Sequence, residues 1–264
     1  MNRRALPKAG VGSEANGGAG VDRRTVLAGS TAISVGALAA GISAGQTTAI
    51  PRSKSVLQAP AGKIPVAFLM DADVTMIDFA GPWEVFQDAF ETQRFSLFTV
   101  ASAIRQLQTT GNVDGDGADM KMSGMRFTPD YTYDTAPQPK VVVIPAQAGG
   151  RSADKLAWIR AVAGNADVIM SVCTGAFVLA NTGLLDGLSA TTHHGAFDSF
   201  ERQFPKVKLV RGRRFIDNGK FITAGGLTSG IDAAIHVVER YFGQQMAQSV
   251  ADYMEHSSTQ WHSA

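Results

Sequence analysis

Short apolar runs alternate with amphipathic segments over most of the chain. The runs have the length and continuous apolar character of buried strands, and they lie at residues 64–70, 95–101, 141–145 and 167–172. The segments between and after them have helical apolar spacing, at about 81–90, 152–163, 175–182, 227–242 and 244–255. This order predicts an α/β fold with a mostly parallel sheet that helices cover on both faces.

Weaker signals add smaller elements to this frame. Short strands are expected around 104–109 and 122–127, while 130–137 looks irregular. Strands are expected at 207–210 and 215–223 around the Asp217–Asn218–Gly219 turn signal, which predicts a hairpin. Reactive groups in parallel sheets collect at the carboxyl ends of strands, which places three loops together: 71–78, 146–150 and 173–174.

The first 49 residues have a different composition from the rest. Arg23 and Arg24 precede a charge-free run rich in Ala, Gly, Ser and Val that ends at Pro51, as in twin-arginine export signals. The alternative is an N-terminal membrane anchor, but glycines and serines interrupt the run and make it a poor permanent span. We therefore expect a signal peptide over 1–49, export to the periplasm or the exterior, and no stable membrane insertion after cleavage. A linker over 50–63, a folded domain over 64–255 and a disordered tail over 256–264 complete the expected organisation.

Charge and cysteine content limit the possible functions. The first 60 residues carry seven basic and two acidic side chains, which leaves 17 basic and 21 acidic side chains for the remainder. A mildly acidic body argues against nucleic acid as a partner. We interpret the basic cluster near the expected hairpin as a solvated face, namely Lys206, Lys208, Arg211, Arg213 and Arg214. The single cysteine excludes an internal disulfide.

Cys173 stands where a buried strand gives way to a helix. A sharp strand-to-helix turn would lift its thiol out of the sheet, as in a nucleophile elbow, and the helix N-terminus would favour the thiolate. A small buried packing residue is the alternative interpretation.

Asp78 is the second candidate, a carboxylate between apolar residues just before a predicted helix. It could cap that helix, or it could be a partly buried acid with a perturbed pKa that moves protons near the thiol. Asp71 and Asp73 in the preceding loop are expected to be solvated.

His193 and His194 follow a predicted strand. Adjacent residues on an extended segment point to opposite faces, so they form no metal pair by themselves, and no other spacing suggests zinc. One of them could orient substrate or act as a base, and a structural role is equally open. We expect no metal.

Four segments together resemble the ThiJ/PfpI superfamily of class I glutamine-amidotransferase-like proteins. They are Ser171–Val–Cys–Thr–Gly175 with LANTGLLDG ending at Gly187, Ala190–Thr–Thr–His193, Ile77–Asp–Phe–Ala–Gly–Pro82, and Thr223–Ala–Gly–Gly–Leu–Thr–Ser–Gly–Ile–Asp232. The match covers about 64–250. It implies a flavodoxin-like three-layer sandwich with a cysteine nucleophile elbow. The motifs are most similar to isonitrile hydratase and to the amidase-like sensor domain of AraC-type regulators.

The resemblance to isonitrile hydratase implies an enzyme that adds water to an isocyanide and yields an N-substituted formamide. Cys173 would be the nucleophile, Asp78 the general acid and base, and Thr174 a supporting residue that acts through its hydroxyl or its N–H. No organic cofactor is implied. The partners implied are a small-molecule substrate and a second copy of the chain in a homodimer.

The sequence departs from the family pattern at two places beside the expected pocket. Pro–Gly–Gly is replaced by Pro145–Ala146–Gln147, so that Gln147 would be strained if positive φ is needed there, or its side chain could reach into the site. Where close relatives have a tryptophan after the histidine, this chain has His194, a titratable group. We expect Ala146, Gln147, His193 and His194 to contact the substrate.

Two other functions remain open. One is a non-catalytic ligand-binding domain like those of AraC-type regulators; residues after the last helix leave no space for their DNA-binding part, so we expect no direct role on DNA. The other is a thiol redox or aldehyde-detoxifying protein, which commonly needs a glutamate beside its cysteine, whereas Glu84 lies along the helix after Asp78.

Overall fold

Four strands predicted from the apolar runs form the middle of one seven-stranded sheet. The computed structural model describes residues 56–89, 94–109 and 124–262, so the expected signal peptide lies outside the described residues. The strands are β1 Ile64–Leu69, β2 Phe95–Ala101, β3 Leu107–Gln108, β4 Arg126–Phe127, β5 Tyr131–Thr132, β6 Val141–Ile144, β7 Val168–Val172, β8 Ser189–Ala190, β9 Lys208–Leu209, β10 Phe215–Asp217 and β11 Phe221–Ala224. The helices are α1 Met76–Asp88, α2 Ala153–Ala163, α3 Gly175–Asn181, α4 Phe197–Gln203, α5 Ser229–Phe242 and α6 Gln244–Tyr253.

The main sheet has the order β10-β11-β7-β6-β1-β2-β5, and every neighbouring pair is parallel except the β10–β11 hairpin. The predicted Asp217–Asn218–Gly219 turn makes that hairpin. β9 instead pairs with β8, and β3 pairs with β4, in two small separate sheets. The predicted mostly parallel sheet is therefore confirmed.

Alternate residues of the central strands enter two separate cores. Val66 and Phe68 of β1 pack in the core under α1, α5 and α6, whereas Ala67 and Leu69 pack in the core under α2, α3 and α4. Because successive side chains of a strand point to opposite faces, a strand that is apolar throughout must be covered twice. The described domain is the three-layer sandwich that the family resemblance implies.

The start of α1 differs from the prediction. The sequence places Pro82 at the helix start, but α1 begins at Met76 and contains Pro82 in its second turn. Pro82 has no N–H to donate to the carbonyl of Asp78, which weakens the helix locally. Its ring packs against α5, where a Cβ on Gly230 would lie 3.3 Å from the proline Cγ. This packing holds α1 helical through the proline.

The disordered tail predicted over 256–264 is wrong for the residues that the structure describes. Residues 260–262 form a 3₁₀ turn, and Trp261 is 1% exposed within the core under α5. The Trp261 carbonyl lies 3.0 Å from Nδ1 of the buried His236, whose Nε2 lies 3.0 Å from Asp217. Burial of the indole ring fixes this segment, so the domain extends at least to His262.

None of the helices described in the structure is long and apolar enough to span a membrane.

Candidate active site

Cys173 occupies a strained turn between β7 and α3. Its φ is +57°, in the left-handed region that residues other than glycine seldom adopt. The Cys173 N–H donates to the carbonyls of Gly225, at 2.8 Å, and Ala224, at 3.2 Å, while its own carbonyl accepts from Thr192 Oγ1 at 2.9 Å. These bonds from neighbouring segments hold the turn in its unfavourable conformation. The side chain is 8% exposed.

Gly175 allows α3 to begin directly after this turn. A Cβ at Gly175 would lie 2.1 Å from the carbonyl oxygen of Ile144 at the end of β6, which is an impossible contact. Only glycine lets the helix approach the neighbouring strand so closely. Thr174, between Cys173 and Gly175, is half-buried at the N-cap position, and its side chain makes no capping hydrogen bond.

Asp78 lies in the first turn of α1, two residues after the helix start, and is fully buried. Thr75 occupies the N-cap position, so the capping role considered for Asp78 is wrong. Asp78 Oδ2 accepts a hydrogen bond from the Ala146 N–H at 3.1 Å. Oδ1 makes no well-formed hydrogen bond within the described part of the chain.

The buried carboxyl of Asp78 is a perturbed acid. Burial disfavours its charged form and raises its pKa from the ordinary 3.8 to about 7. The Ala146 N–H, the Cys173 thiol and the Leu227 N–H act in the opposite direction, but burial outweighs them. Both protonation states of Asp78 are therefore populated near neutral pH, next to the thiol.

The Ala146–Gln147 segment contacts the Asp78 carboxyl, and its backbone is not strained. Its backbone is held by the Thr75 N–H, which donates to the Ala146 carbonyl at 2.9 Å. Gln147 is not among the described residues with positive φ, so the strain considered for it does not occur.

The side chain of Gln147 is fully engaged beside the sheet. Its Nε2 donates to the carbonyls of Leu69, at 2.8 Å, and Pro145, at 3.2 Å. Its Oε1 accepts from the Asp71 N–H at 2.9 Å and from Lys155 Nζ at 3.3 Å. The amide braces the loops at the carboxyl ends of β1 and β6, in contrast to the alternative in which it reaches into the pocket.

A buried ion pair that the sequence pattern does not predict joins Lys155 to Asp71. Lys155 Nζ lies 2.9 Å from Asp71 Oδ2, and the lysine side chain is 1% exposed. The expectation that Asp71 is solvated is therefore wrong, whereas Asp73 is exposed as expected. Burial opposes the ionisation of Asp71, but Lys155, Tyr133 and Ser102 outweigh it and hold its pKa below the ordinary value. The signal was the spacing of Lys155 with the buried Trp158, Ile159 and Val162 on one face of α2.

His193 and His194 were expected to point to opposite faces, but in the structure their rings lie close together. Their ring centroids are 4.3 Å apart, because the chain turns at His193 into a 3₁₀ turn instead of continuing as a strand. His193 Nδ1 accepts from the Gly195 N–H at 3.2 Å. The His193 ring packs so closely on Gly226 that a Cβ there would lie 2.3 Å from its Cδ2.

Both histidines line a cleft of about 550 Å³. Four segments form its walls: the residues around the 3₁₀ turn, those just before β10, those at the start of α5, and one near the C-terminus. The wall residues are Thr192, His193, His194, Phe197, Gly212, Arg213, Arg214, Gly225, Gly226, Leu227, Thr228, Ser229 and Gln260. Cys173 and Asp78 are not wall residues, but Thr192 and Gly225 hydrogen-bond the Cys173 backbone. The cleft thus adjoins the cysteine turn.

The basic cluster does not form one solvated face. Arg213 and Arg214 line the cleft, whereas Arg211 lies outside it and pairs with Asp198 and Glu201 at 3.1 and 3.0 Å. Charge alone could not separate these neighbours in the sequence. Among the described residues, no group of three or more His, Cys, Asp or Glu side chains could hold a metal ion.

The comparisons with known proteins identify the family. The model of the DJ-1/PfpI family matches residues 65–240. The chain belongs to the DJ-1/PfpI family. A crystal structure of a ThiJ/PfpI family protein from Pseudomonas syringae is similar with a TM-score of 0.63 and 23% identity, over 81% of this chain and 84% of that one. The ThiJ/PfpI resemblance and the flavodoxin-like fold predicted from the sequence are confirmed.

Two curated relatives have different functions. The isonitrile hydratase of Pseudomonas putida is 27% identical over 199 residues, which cover 74% of this chain and 79% of that protein. The HTH-type transcriptional regulator GbdR of Pseudomonas aeruginosa (strain UCBPP-PA14) is also 27% identical, over 60% of this chain and 47% of the regulator. The DJ-1/PfpI chain described here thus spans about half the length of that regulator.

Proposed function

We propose that this DJ-1/PfpI protein is a cysteine-dependent hydratase or hydrolase of small molecules, similar to isonitrile hydratase. The observation that carries the proposal is the Asp78 carboxyl, fully buried beside the Cys173 thiol with a pKa of about 7. General acid and base catalysis is most effective when the pKa of the group is near the working pH. The similarity to the P. putida isonitrile hydratase supports the substrate class.

The first step joins Cys173 to the substrate R–N≡C. Ionised Asp78 takes the thiol proton, and the sulfur attacks the terminal carbon with formation of a C–S bond. Asp78 then returns the proton to that carbon, which gives the thioimidate R–N=CH–S–Cys173. The carboxyl ends this step ionised and in contact with the Cys173 side chain.

Water completes the reaction. Asp78 takes a proton from water as the oxygen attacks the thioimidate carbon, and the proton passes to the nitrogen to give R–NH–CH(OH)–S–Cys173. The C–S bond then breaks, the hydroxyl proton moves to the sulfur, and the formamide R–NH–CHO leaves. In this scheme Thr174, the residue after the cysteine, supports the site through its hydroxyl or its backbone N–H.

A non-catalytic ligand-binding domain is the second candidate. It is supported by the similarity to GbdR, a transcriptional regulator that matches 60% of this chain. Such a domain would use the cleft beside Cys173 to hold a molecule without changing it. The two functions differ in whether a product forms.

Turnover of an aliphatic and an aromatic isonitrile by the purified protein tests the proposal, with formamide measured by chromatography. We expect wild type to produce formamide, and Cys173→Ala and Asp78→Asn to lose at least about a hundredfold in rate, as expected when a nucleophile or general acid is removed. Asp73→Asn, in the exposed loop before α1, is the matched control and should retain the wild-type rate. Thermal melts confirm that each variant is folded.

Three results would count against the proposal. A full rate in Cys173→Ala would refute the role of Cys173 as nucleophile. A full rate in Asp78→Asn would refute the role of Asp78 as general acid and base. Wild-type protein that converts no isonitrile, but binds a small molecule and releases it unchanged, would favour the ligand-binding domain.

A further inference from the structure

The cleft beside Cys173 has an excess of positive charge. Two guanidinium groups, Arg213 and Arg214, and two imidazole rings line it, and no aspartate or glutamate is among its wall residues. A cleft with one sign of charge and low-dielectric walls raises the local concentration of ligands of opposite sign. The composition of the walls therefore favours an anionic ligand over a neutral one.

The two arginines differ in whether an acidic side chain pairs with them. The Nε of Arg214 donates to the fully buried Asp232, and its terminal nitrogens lie 3.3 Å from Thr228 Oγ1. Asp232 also lies 3.0 Å from Nε2 of His256. Arg214 is thus a positioned group whose charge has a partner within the protein.

Arg213 is exposed, and no carboxylate of the described residues lies within ion-pair distance of its guanidinium. Its neighbours Arg211 and Arg214 both have acidic partners. Within the described parts of the chain, the Arg213 guanidinium therefore faces the cleft without an acidic partner. One such charge suits a monoanion, and its planar pair of N–H donors matches a carboxylate.

The same cleft is connected to the reacting groups. Gly225 and Thr192, which line it, hydrogen-bond the Cys173 backbone. Leu227, also in its wall, directs its N–H toward the Asp78 carboxyl. A ligand that fills the cleft from Arg213 toward Leu227 extends to the residue whose N–H faces the Asp78 carboxyl, which also contacts the Cys173 thiol.

We propose that the substrate is a small molecule with one carboxylate, which Arg213 binds while the reactive carbon lies at Cys173. This inference rests on the proposed function for the identity of that carbon, but the carboxylate site can be tested without it. A volume of about 550 Å³ is within the range of small-molecule sites and leaves room for an isonitrile that carries a short acid.

Alkylation of Cys173 tests the carboxylate site directly, because it is the only cysteine in the 264 residues. Sulfur displaces iodide from iodoacetate or iodoacetamide with formation of an S–CH₂ bond, and the two reagents differ in one carboxylate. We expect the iodoacetate-to-iodoacetamide rate ratio to fall about three- to fivefold in Arg213→Gln, as for a partly exposed charge pair. Lys208→Gln removes the same charge from an exposed site outside the cleft and should keep the wild-type ratio.

Protection experiments define the anion. We expect acetate to slow iodoacetamide more than inorganic phosphate does at equal ionic strength, and Arg213→Gln to lose the acetate effect. Stronger protection by phosphate would overturn the assignment to a carboxylate. A wild-type alkylation ratio in Arg213→Gln would overturn the site itself.

Turnover of isocyanoacetate against its methyl ester separates this inference from the proposed function. We expect a higher kcat/KM for the acid in wild type, and an acid-to-ester ratio that falls in Arg213→Gln but not in Lys208→Gln. Equal turnover of acid and ester would refute the carboxylate site and leave the hydratase intact. Absence of turnover, together with an alkylation ratio that depends on Arg213, would refute the hydratase and leave the carboxylate site intact.

Discussion

Replacing Asp78 by asparagine should make the protein less sensitive to alkaline pH. The carboxyl is fully buried, its Oδ2 accepts the Ala146 N–H at 3.1 Å, and its pKa is raised to about 7. Asparagine has nearly the same shape, can accept the same N–H through its side-chain oxygen, and stays neutral at every pH. The substitution therefore removes the ionisation while it leaves the packing close to that of the protonated acid.

The magnitude follows from the difference between the folded and unfolded pKa values. A group whose folded pKa is raised contributes stability below its unfolded pKa, here 3.8, and that stability is lost as the pH rises toward about 7. Over the whole window the loss is on the order of 4 kcal/mol. Between pH 5 and pH 8 it is roughly 2 to 3 kcal/mol, since part of the loss has already occurred by pH 5.

Urea denaturation of wild type and Asp78→Asn at pH 5, 6, 7 and 8 measures this effect. The free energy of unfolding of the variant minus that of wild type should rise by roughly 2 to 3 kcal/mol across the series and level off above pH 7. Asp71→Asn is the control: its carboxylate has a lowered pKa, so its contribution is lost only as the pH falls below the ordinary 3.8. Ionisation of the Asp71 carboxyl itself should therefore contribute no slope from pH 5 to pH 8. A flat curve for Asp78→Asn would refute the raised pKa and the proton chemistry built on it.

Three further substitutions test how the site is supported. Lys155→Met should destabilise the fold by about 3 to 5 kcal/mol in urea denaturation, because it leaves Asp71 without its buried partner, and Lys155→Met/Asp71→Asn should recover part of the loss; equal stability of Lys155→Met and wild type would contradict this. Gly175→Ala should yield little soluble protein, since the new Cβ meets the Ile144 carbonyl at 2.1 Å, while Gly164→Ala, with its nearest contact at 3.9 Å, should express normally; normal expression of both would refute the close approach. Trp261→Ala should lower the free energy of unfolding by about 3 to 5 kcal/mol, and Tyr253→Ala, at a residue that is 64% exposed, by less than about 1 kcal/mol. A negligible effect of Trp261→Ala would support the prediction of a disordered tail.

The sheet and the cysteine turn could be predicted because they depend on local patterns. Val141–Ile144 and Val168–Val172 are short, mainly apolar runs that each follow a charged residue, so their buried position could be predicted from composition. Cys173 then lies at a strand end whichever helix follows. The same reasoning placed Asp78 at the correct end of the sheet.

The start of α1, the buried Lys155 and the role of Arg213 could not be predicted because they depend on distant partners. Pro82 is a helix-start signal in isolation, but contact with Gly230 of α5 keeps it inside the helix. Lys155 is buried only because Asp71 and Gln147 meet it from other strand ends. Arg211 pairs with Asp198, whereas Arg213, two residues further on, lines the cleft.

The exchange of two glycines for Ala146 and Gln147 affects the two halves of the site differently. The proton chemistry requires an N–H on Asp78, and the Ala146 backbone supplies it at 3.1 Å without a glycine. The Gln147 side chain makes four hydrogen bonds that brace the neighbouring loops, with Leu69, Asp71, Pro145 and Lys155. Substrate recognition in our proposal belongs to the cleft, which His194 and Arg213 line and Ala146 and Gln147 do not. If the two functions are separate in this way, the departures from the family pattern change which molecule reaches Cys173 and leave the proton transfers at Asp78 intact.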